Sequence, residues 1–156
     1  LLASLALLTL ASHNAHADYP PVPTFNLPTA SGQIQPADLK GKVVYIDFWA
    51  SWCKPCKKSF PWLNAVHSKY KDKGFEVLAI NLDKDKSLAD KFLQHIPAQF
   101  TVAFDQQGKS AESFHVQGMP SSYLIDRQGR LRARHIGFRD KDRAKLENAI
   151  VKLLKE

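Results

Sequence analysis

Two runs in the middle of the chain limit the fold more than any other feature. Val43–Trp49 (VVYIDFW) and Phe75–Asn81 (FEVLAIN) are continuously apolar, β-branched and aromatic, without the alternation of a half-exposed strand. Strands of that kind are buried on both faces, as in a parallel sheet. Between them, Phe60, Leu63, His67 and Tyr70 recur at helical spacing up to a stop at Gly74. Strand, helix and strand over about forty residues make a βαβ unit.

The flanks complete a mixed sheet. Asp18–Pro36 carries five of the nine prolines, which predicts an extended segment with a short strand near Phe25–Leu27. After the second strand, Ser87 reads as the cap of a helix with Leu88, Phe92 and Ile96 in phase, ended by Pro97. Phe100–Phe104 reads as a strand. SSYLID and LRARHI flank the turn RQGR and read as an antiparallel hairpin. Asp140 then caps a last helix through Leu154, with Leu146, Ile150, Leu153 and Leu154 facing inward. The expected fold class is α/β, with a mixed central sheet and helices on both of its faces.

At 156 residues the chain has length for one core and too little for two ordinary domains. Leu1–Ala11 is an uncharged Leu/Ala run followed by a small-x-small site at Ala15-His16-Ala17. That pattern reads as a signal peptide over residues 1–17, cut short at its start, ahead of a single domain over 18–156. The expected location is periplasmic or otherwise extracytoplasmic, with a membrane tether if the leader stays uncleaved. Residues 1–17 hold no Lys, Arg, Asp or Glu, so the formal charge of +7 belongs to the rest of the chain. The basic residues are dispersed, with no aromatic-interleaved motif, which argues against a nucleic-acid partner. Solubility and attraction to acidic partners account for the charge. Arg130, Arg132 and Arg134 alternate and predict a basic ridge on one strand face.

The only two cysteines, Cys53 and Cys56, stand at the junction of the first buried strand and its helix. Zinc normally takes four ligands in paired sets, and neither a second cysteine pair nor a histidine spacing supplies them. A structural bridge is the bland alternative, but so short a ring contributes only about 2 kcal/mol. A redox dithiol fits best. Cys53 at a helix N-terminus meets unpaired N–H groups and the helix dipole, which favour its thiolate. Cys56 lies one turn in and partly sheltered, and Pro55 suits a first turn. The pattern C-x-x-C after a strand in a βαβ unit is the signature of that chemistry.

DFWASWCKPCKKSFP resembles the thioredoxin active-site segment. From about Phe25 to the C-terminus the chain resembles the exported TlpA-like (ResA-type) thiol–disulfide oxidoreductases. The likeness includes Pro61, the inserted NLDKDKSLADKFLQHIPAQFTVAFD and the later VQGMPSSYLIDRQGRL. It implies a thioredoxin-like fold with an N-terminal extension and an inserted helix-strand segment. It also implies that Pro120 is a cis-proline facing the disulfide, where spacing alone would favour an ordinary trans proline. Met119 would then present its backbone to an extended substrate. Many family members carry Glu three residues after the second cysteine; here that position is Ser59, and the acidic residue is Asp47, as in thioredoxin.

Asp47, six residues before Cys53, is expected to be buried with a raised pKa and to take the proton of Cys56. The alternative is an Asp on a wetter strand edge bonded to a lysine. Trp52, Lys54, Pro55 and Met119 are the expected substrate contacts, with the Lys54 ammonium near the Cys53 sulfur. The resulting expectation is a protein-disulfide reductase with no cofactor beyond its own dithiol, no metal and no nucleic acid. It would act as a monomer re-reduced by a membrane thiol reductase. A disulfide-donating oxidase on the same residues, and a non-catalytic binding module with an inert bridge, are the competing readings.

Overall fold

The computed structural model describes residues 18–156; the leader expected over residues 1–17 lies outside them. Seven strands form one mixed sheet. They are β1 (Leu27–Thr29), β2 (Gly32–Ile34), β3 (Val43–Trp49), β4 (Phe75–Asn81), β5 (Thr101–Phe104), β6 (Ser121–Ile125) and β7 (Leu131–Ile136). Four helices accompany them: α1 (Cys56–Tyr70), α2 (Lys86–His95), α3 (Lys109–Ser113) and α4 (Arg143–Leu154). The strand order is β2-β1-β5-β4-β3-β6-β7. β3 runs parallel to β4, and β4 to β5, while β6 and β7 are antiparallel additions on the other side of β3. The apolar run Val43–Trp49 is buried at all seven positions because β3 lies in the middle of the sheet with both faces covered.

Those faces are covered differently. On one, Val43, Tyr45 and Val77 meet Trp62, Leu63 and Val66 of α1 and Leu146, Ile150 and Leu153 of α4. Farther along the same face, Trp49 and Ala79 pack with Phe60 of α1 and with Ala89 and Phe92 of α2. On the opposite face, Val44, Ile46 and Phe48 lie under Phe114, just past α3, and under Phe25, Leu27 and Leu39 of the N-terminal extension. Three helices therefore share one face, and the extension does on the other what a longer helix would.

Several local expectations are corrected. The strand placed at Phe25–Leu27 is a hairpin, β1–β2, whose turn places Gly32 at φ 142°. The cap of α2 is Asp85, whose carboxylate accepts the Ser87 N–H at 2.9 Å; an Asp outcompetes a Ser that is already inside the turn. Leu88 is 42% exposed, and Ala89 with Phe92 forms the inner face of α2. Asp140 opens a short 3-10 turn, and α4 begins at Arg143. The arginine ridge is spent within the molecule. Arg130 and Arg132 donate to Asp126, Arg132 also to Glu156, and Arg134 to the His115 carbonyl. Gly74 ends the helical segment as expected, at φ 83°, and a side chain there would meet Arg127 Nη1 at 2.6 Å. Arg127 in turn donates to the carbonyls of Gly41 and Lys73.

Candidate active site

The site forms where β3 gives way to α1. Beyond Trp49 the chain makes two tight turns, the Cys53 N–H donating to Ala50 and the Cys56 N–H to Cys53. Pro55 is the N-cap residue of α1, and Cys56 is its first residue. Cys53, expected at the helix N-terminus with Cys56 one turn in, instead lies three residues ahead of the first helical residue, Cys56. The cause is the i→i−3 bond from Cys56 to Cys53, which holds the ring in a turn ahead of the helix. Cys53 and Cys56 form a disulfide of S–S 2.06 Å. Both are buried, Cys53 to 3% and Cys56 to 0% exposure, so the two sulfurs differ less in access than the spacing predicted. Pro61 lies inside α1 and has no N–H for the carbonyl four residues back.

Asp47 is 2% exposed on β3 and its Oδ2 has no hydrogen-bond partner among the described residues. The wetter-edge alternative is therefore excluded. Its neighbours in register are Ala79 on β4 and Ser122 on β6. Tyr45 and Trp49, two residues either side on the same sheet face, pack against Trp62 and Phe60 of α1 at ring distances of 5.8 and 4.8 Å. The Asp47 carboxyl is therefore held beneath the first turns of α1, the segment that begins with Cys56. Burial without a countercharge pushes its pKa well above the usual carboxylate value. Ser59 is buried and donates to the Cys56 carbonyl at 3.2 Å.

The Met119–Pro120 peptide is cis. Pro120 enters β6 beside the same end of β3, since Ser121 pairs with Phe48. Its carbonyl accepts the Gly137 N–H at 2.8 Å, and Ser121 Oγ donates to the Gly118 carbonyl at 2.6 Å. Met119 packs against the cluster that contains Cys53, Cys56 and Trp49. Trp52 is 70% exposed beside Cys53. Lys54 is exposed and makes no ion pair among the described residues, and Pro55 is half-buried. Trp52, Lys54 and Pro55 thus adjoin or span the ring, Met119 packs against its cluster, Pro120 enters β6 beside the end of β3, and Asp47 lies on the sheet face that α1 covers.

One positioning group went unseen in the sequence. Asp83, just past β4, is buried, and its carboxylate accepts from Ser51 N at 2.9 Å, Ser51 Oγ at 2.8 Å and Asn81 Nδ2 at 2.8 Å. It ties the loop that carries Cys53 to the end of the central parallel strand. The signal available was the polar pair Asn81 and Asp83 closing an apolar run.

Comparison with known proteins agrees with this geometry. The AhpC/TSA family profile matches residues 20–134. The thiol-disulfide oxidoreductase ResA of Bacillus anthracis is 36% identical over 121 residues, 77% of this chain and 70% of that protein. The chain belongs to the AhpC/TSA family and, within it, to the ResA-type thiol–disulfide oxidoreductases. ResA of Bacillus subtilis (strain 168) is 33% identical over 110 residues, covering 70% of this chain and 62% of that one. Among solved structures, a Chlorobium tepidum protein assigned as the thiol:disulfide interchange protein DsbE superposes with a TM-score of 0.86 at 49% identity. That match covers 87% of this chain and 96% of the other. The chain is accordingly a thioredoxin-fold thiol–disulfide oxidoreductase built around Cys53 and Cys56. The inert binding module is set aside by this membership.

Proposed function

We propose that this oxidoreductase works in the reducing direction on protein disulfides outside the cytoplasm. The Cys53 thiolate attacks one sulfur of a substrate disulfide; a Cys53–substrate bond forms, the substrate bond breaks, and the departing sulfur takes a proton from solvent. The Cys56 thiol then loses its proton to Asp47 and attacks Cys53. The Cys53–Cys56 bond forms and the second substrate sulfur leaves as a thiolate. The substrate gains two electrons and the dithiol loses them. Pro120 and Met119 offer backbone to an extended substrate, and Trp52, Lys54 and Pro55 form the rim it meets.

The observation that carries the exchange chemistry is the buried Asp47 carboxyl, whose Oδ2 has no partner among the described residues, beneath the helix that starts at Cys56. Burial raises its pKa, which makes its carboxylate a stronger base toward the Cys56 proton than an ordinary carboxylate. The dithiol acts without any further cofactor, in a monomeric domain over 18–156. Electrons return from a thiol reductase in the membrane. Residues 1–17 act as an export signal cleaved before Asp18. Among the described residues no helix is long and apolar enough to cross a membrane.

Trapping tests the assignment. Cys56→Ser should accumulate mixed disulfides with envelope proteins, because the first attack still occurs and the second cannot. Cys53→Ser should accumulate none. Equal trapping by both variants would overturn the roles.

A further inference from the structure

The insertion between β4 and β5 does more than lengthen the chain: it places α2 beside the active-site loop. The inner side of α2, Ala89 and Phe92, is buried against the cluster around Trp49 and Phe60. The flank of α2 that turns toward the site is different. Leu88, Lys91, Phe92, His95 and Ile96 recur at helical spacing and, together with Ser51 and Lys57, line an open groove of about 360 Å³. Ser51 stands two residues before Cys53, and Lys57 follows Cys56 directly. The groove therefore borders the loop and the helix start that carry the redox ring.

Its chemistry is one-sided. The floor is apolar, and Leu88 is among the few large apolar side chains left exposed among the described residues. The rim is Lys57, Lys91 and His95, and no carboxylate of the described residues lines it. Lys57 and Lys91 form no ion pair among the described residues, whereas Lys86 on the same helix is paired with Asp90 at 2.6 Å. His95 Nδ1 donates to the Lys91 carbonyl at 2.8 Å. An exposed apolar seat rimmed by two unpaired lysines is complementary to an apolar side chain flanked by carboxylates.

We infer that this groove docks the substrate: a polypeptide segment carrying an apolar residue flanked by Asp or Glu, about two to four residues from the cysteine that Cys53 attacks. The spacing follows from the reach of an extended chain, about 3.3 Å per residue, across the short distance from Cys53 to Ser51 and Lys57. The inserted helix thereby sets substrate preference, while the dithiol supplies the chemistry. The inference rests on the reading of Cys53 as the attacking thiol.

The test uses the Cys56→Ser protein and short peptides, each with one cysteine capped as a thiopyridyl disulfide. Attack by Cys53 on the peptide sulfur forms the mixed disulfide and releases thiopyridone, whose absorbance follows the rate. One peptide carries Leu-Phe flanked by Glu, a second carries the same core flanked by Lys, and a third carries Glu around a Gly-Gly core. The Glu-flanked Leu-Phe peptide should react about fivefold or more faster than the Lys-flanked one, a preference that shrinks at high salt. Added Lys91→Glu should erase or invert that preference. Added Leu88→Ser should erase the advantage of the Leu-Phe over the Gly-Gly core. Lys145→Glu on α4, which changes net charge equally, should leave both preferences in place. Equal rates for all peptides, or a preference that Lys145→Glu removes as fully as Lys91→Glu, would overturn the groove while leaving Cys53 as the attacking thiol. Failure of all three peptides to form an adduct would overturn both.

Discussion

Asp47 is the residue whose cost is easiest to state and to measure. A carboxyl with an oxygen buried and unpartnered is unfavourable to ionise, so the folded protein holds its proton to higher pH than the unfolded chain, which releases it near 3.8. Between those two pKa values the folded state binds more protons, and stability falls as pH rises. Each pH unit in that window costs the folded state about 1.4 kcal/mol. Below the lower pKa both states are protonated and the penalty is absent. Asp47→Ala should therefore unfold at higher urea concentration than the wild-type protein near neutrality, and the advantage should shrink on acidification to about the unfolded carboxylate value. A stability difference independent of pH would show that Asp47 ionises normally in the fold. In the same variant, single-turnover resolution by Cys56 should slow at neutral pH, since its proton has lost its acceptor. Wild-type speed there would remove Asp47 from the chemistry.

At the scale of elements, the active-site loop depends on a strand end. Asp83 fixes Ser51 through two bonds and Asn81 through a third, all from a buried carboxylate. Asp83→Ala leaves the Ser51 N–H without its acceptor and should destabilise the oxidised protein by about 1–3 kcal/mol, read by urea unfolding. The loosened loop should also change the alkylation rate of reduced Cys53, while a wild-type rate and stability would make the contact incidental. This constraint was not legible in the sequence, because its partners are 32 residues apart and an Asp closing a strand has many other uses. The strands were legible for the opposite reason. β3, β4, β6 and β7 are adjacent in the sheet and announce themselves by unbroken apolarity or by a two-sided turn. Cys53, Cys56 and Asp47 are local to one such junction, and Pro120 was placed by the order of motifs around it. Short elements escaped. The hairpin β1–β2 has three residues per strand, and α3 has five with Ser110 as its buried residue. Neither is long enough to show a period. Leu88 misled for a physical reason: its phase matches Phe92, yet its side of α2 borders the groove.

The whole molecule decides the direction of electron flow, because the potential of the dithiol is linked to the stability of the two redox forms. Closing Cys53 to Cys56 restricts the unfolded chain and stabilises the oxidised fold by about 2 kcal/mol in the chain-entropy relation. Reduction returns that freedom, so the reduced fold gains relative to the oxidised one only through what it does for the thiolate. Here that return is small. Cys53 is 3% exposed, which desolvates a thiolate, and the cations next to the ring in sequence, Lys54 and Lys57, are exposed to solvent, where a charge contact contributes at most about 1 kcal/mol. The buried Asp47 offers no positive charge. On these magnitudes the fold should favour the bridge more than the unfolded chain does, which would make the folded dithiol the more reducing. A difference of about 2 kcal/mol corresponds to about 40 mV for a two-electron couple. Urea unfolding of the two forms side by side should show the oxidised protein to be the more stable, and equilibration with glutathione should place the folded dithiol below the urea-unfolded one by a matching potential. A reduced form more stable than the oxidised would mean that the fold drives disulfides outward, and the protein would then serve as an oxidase on the same two cysteines.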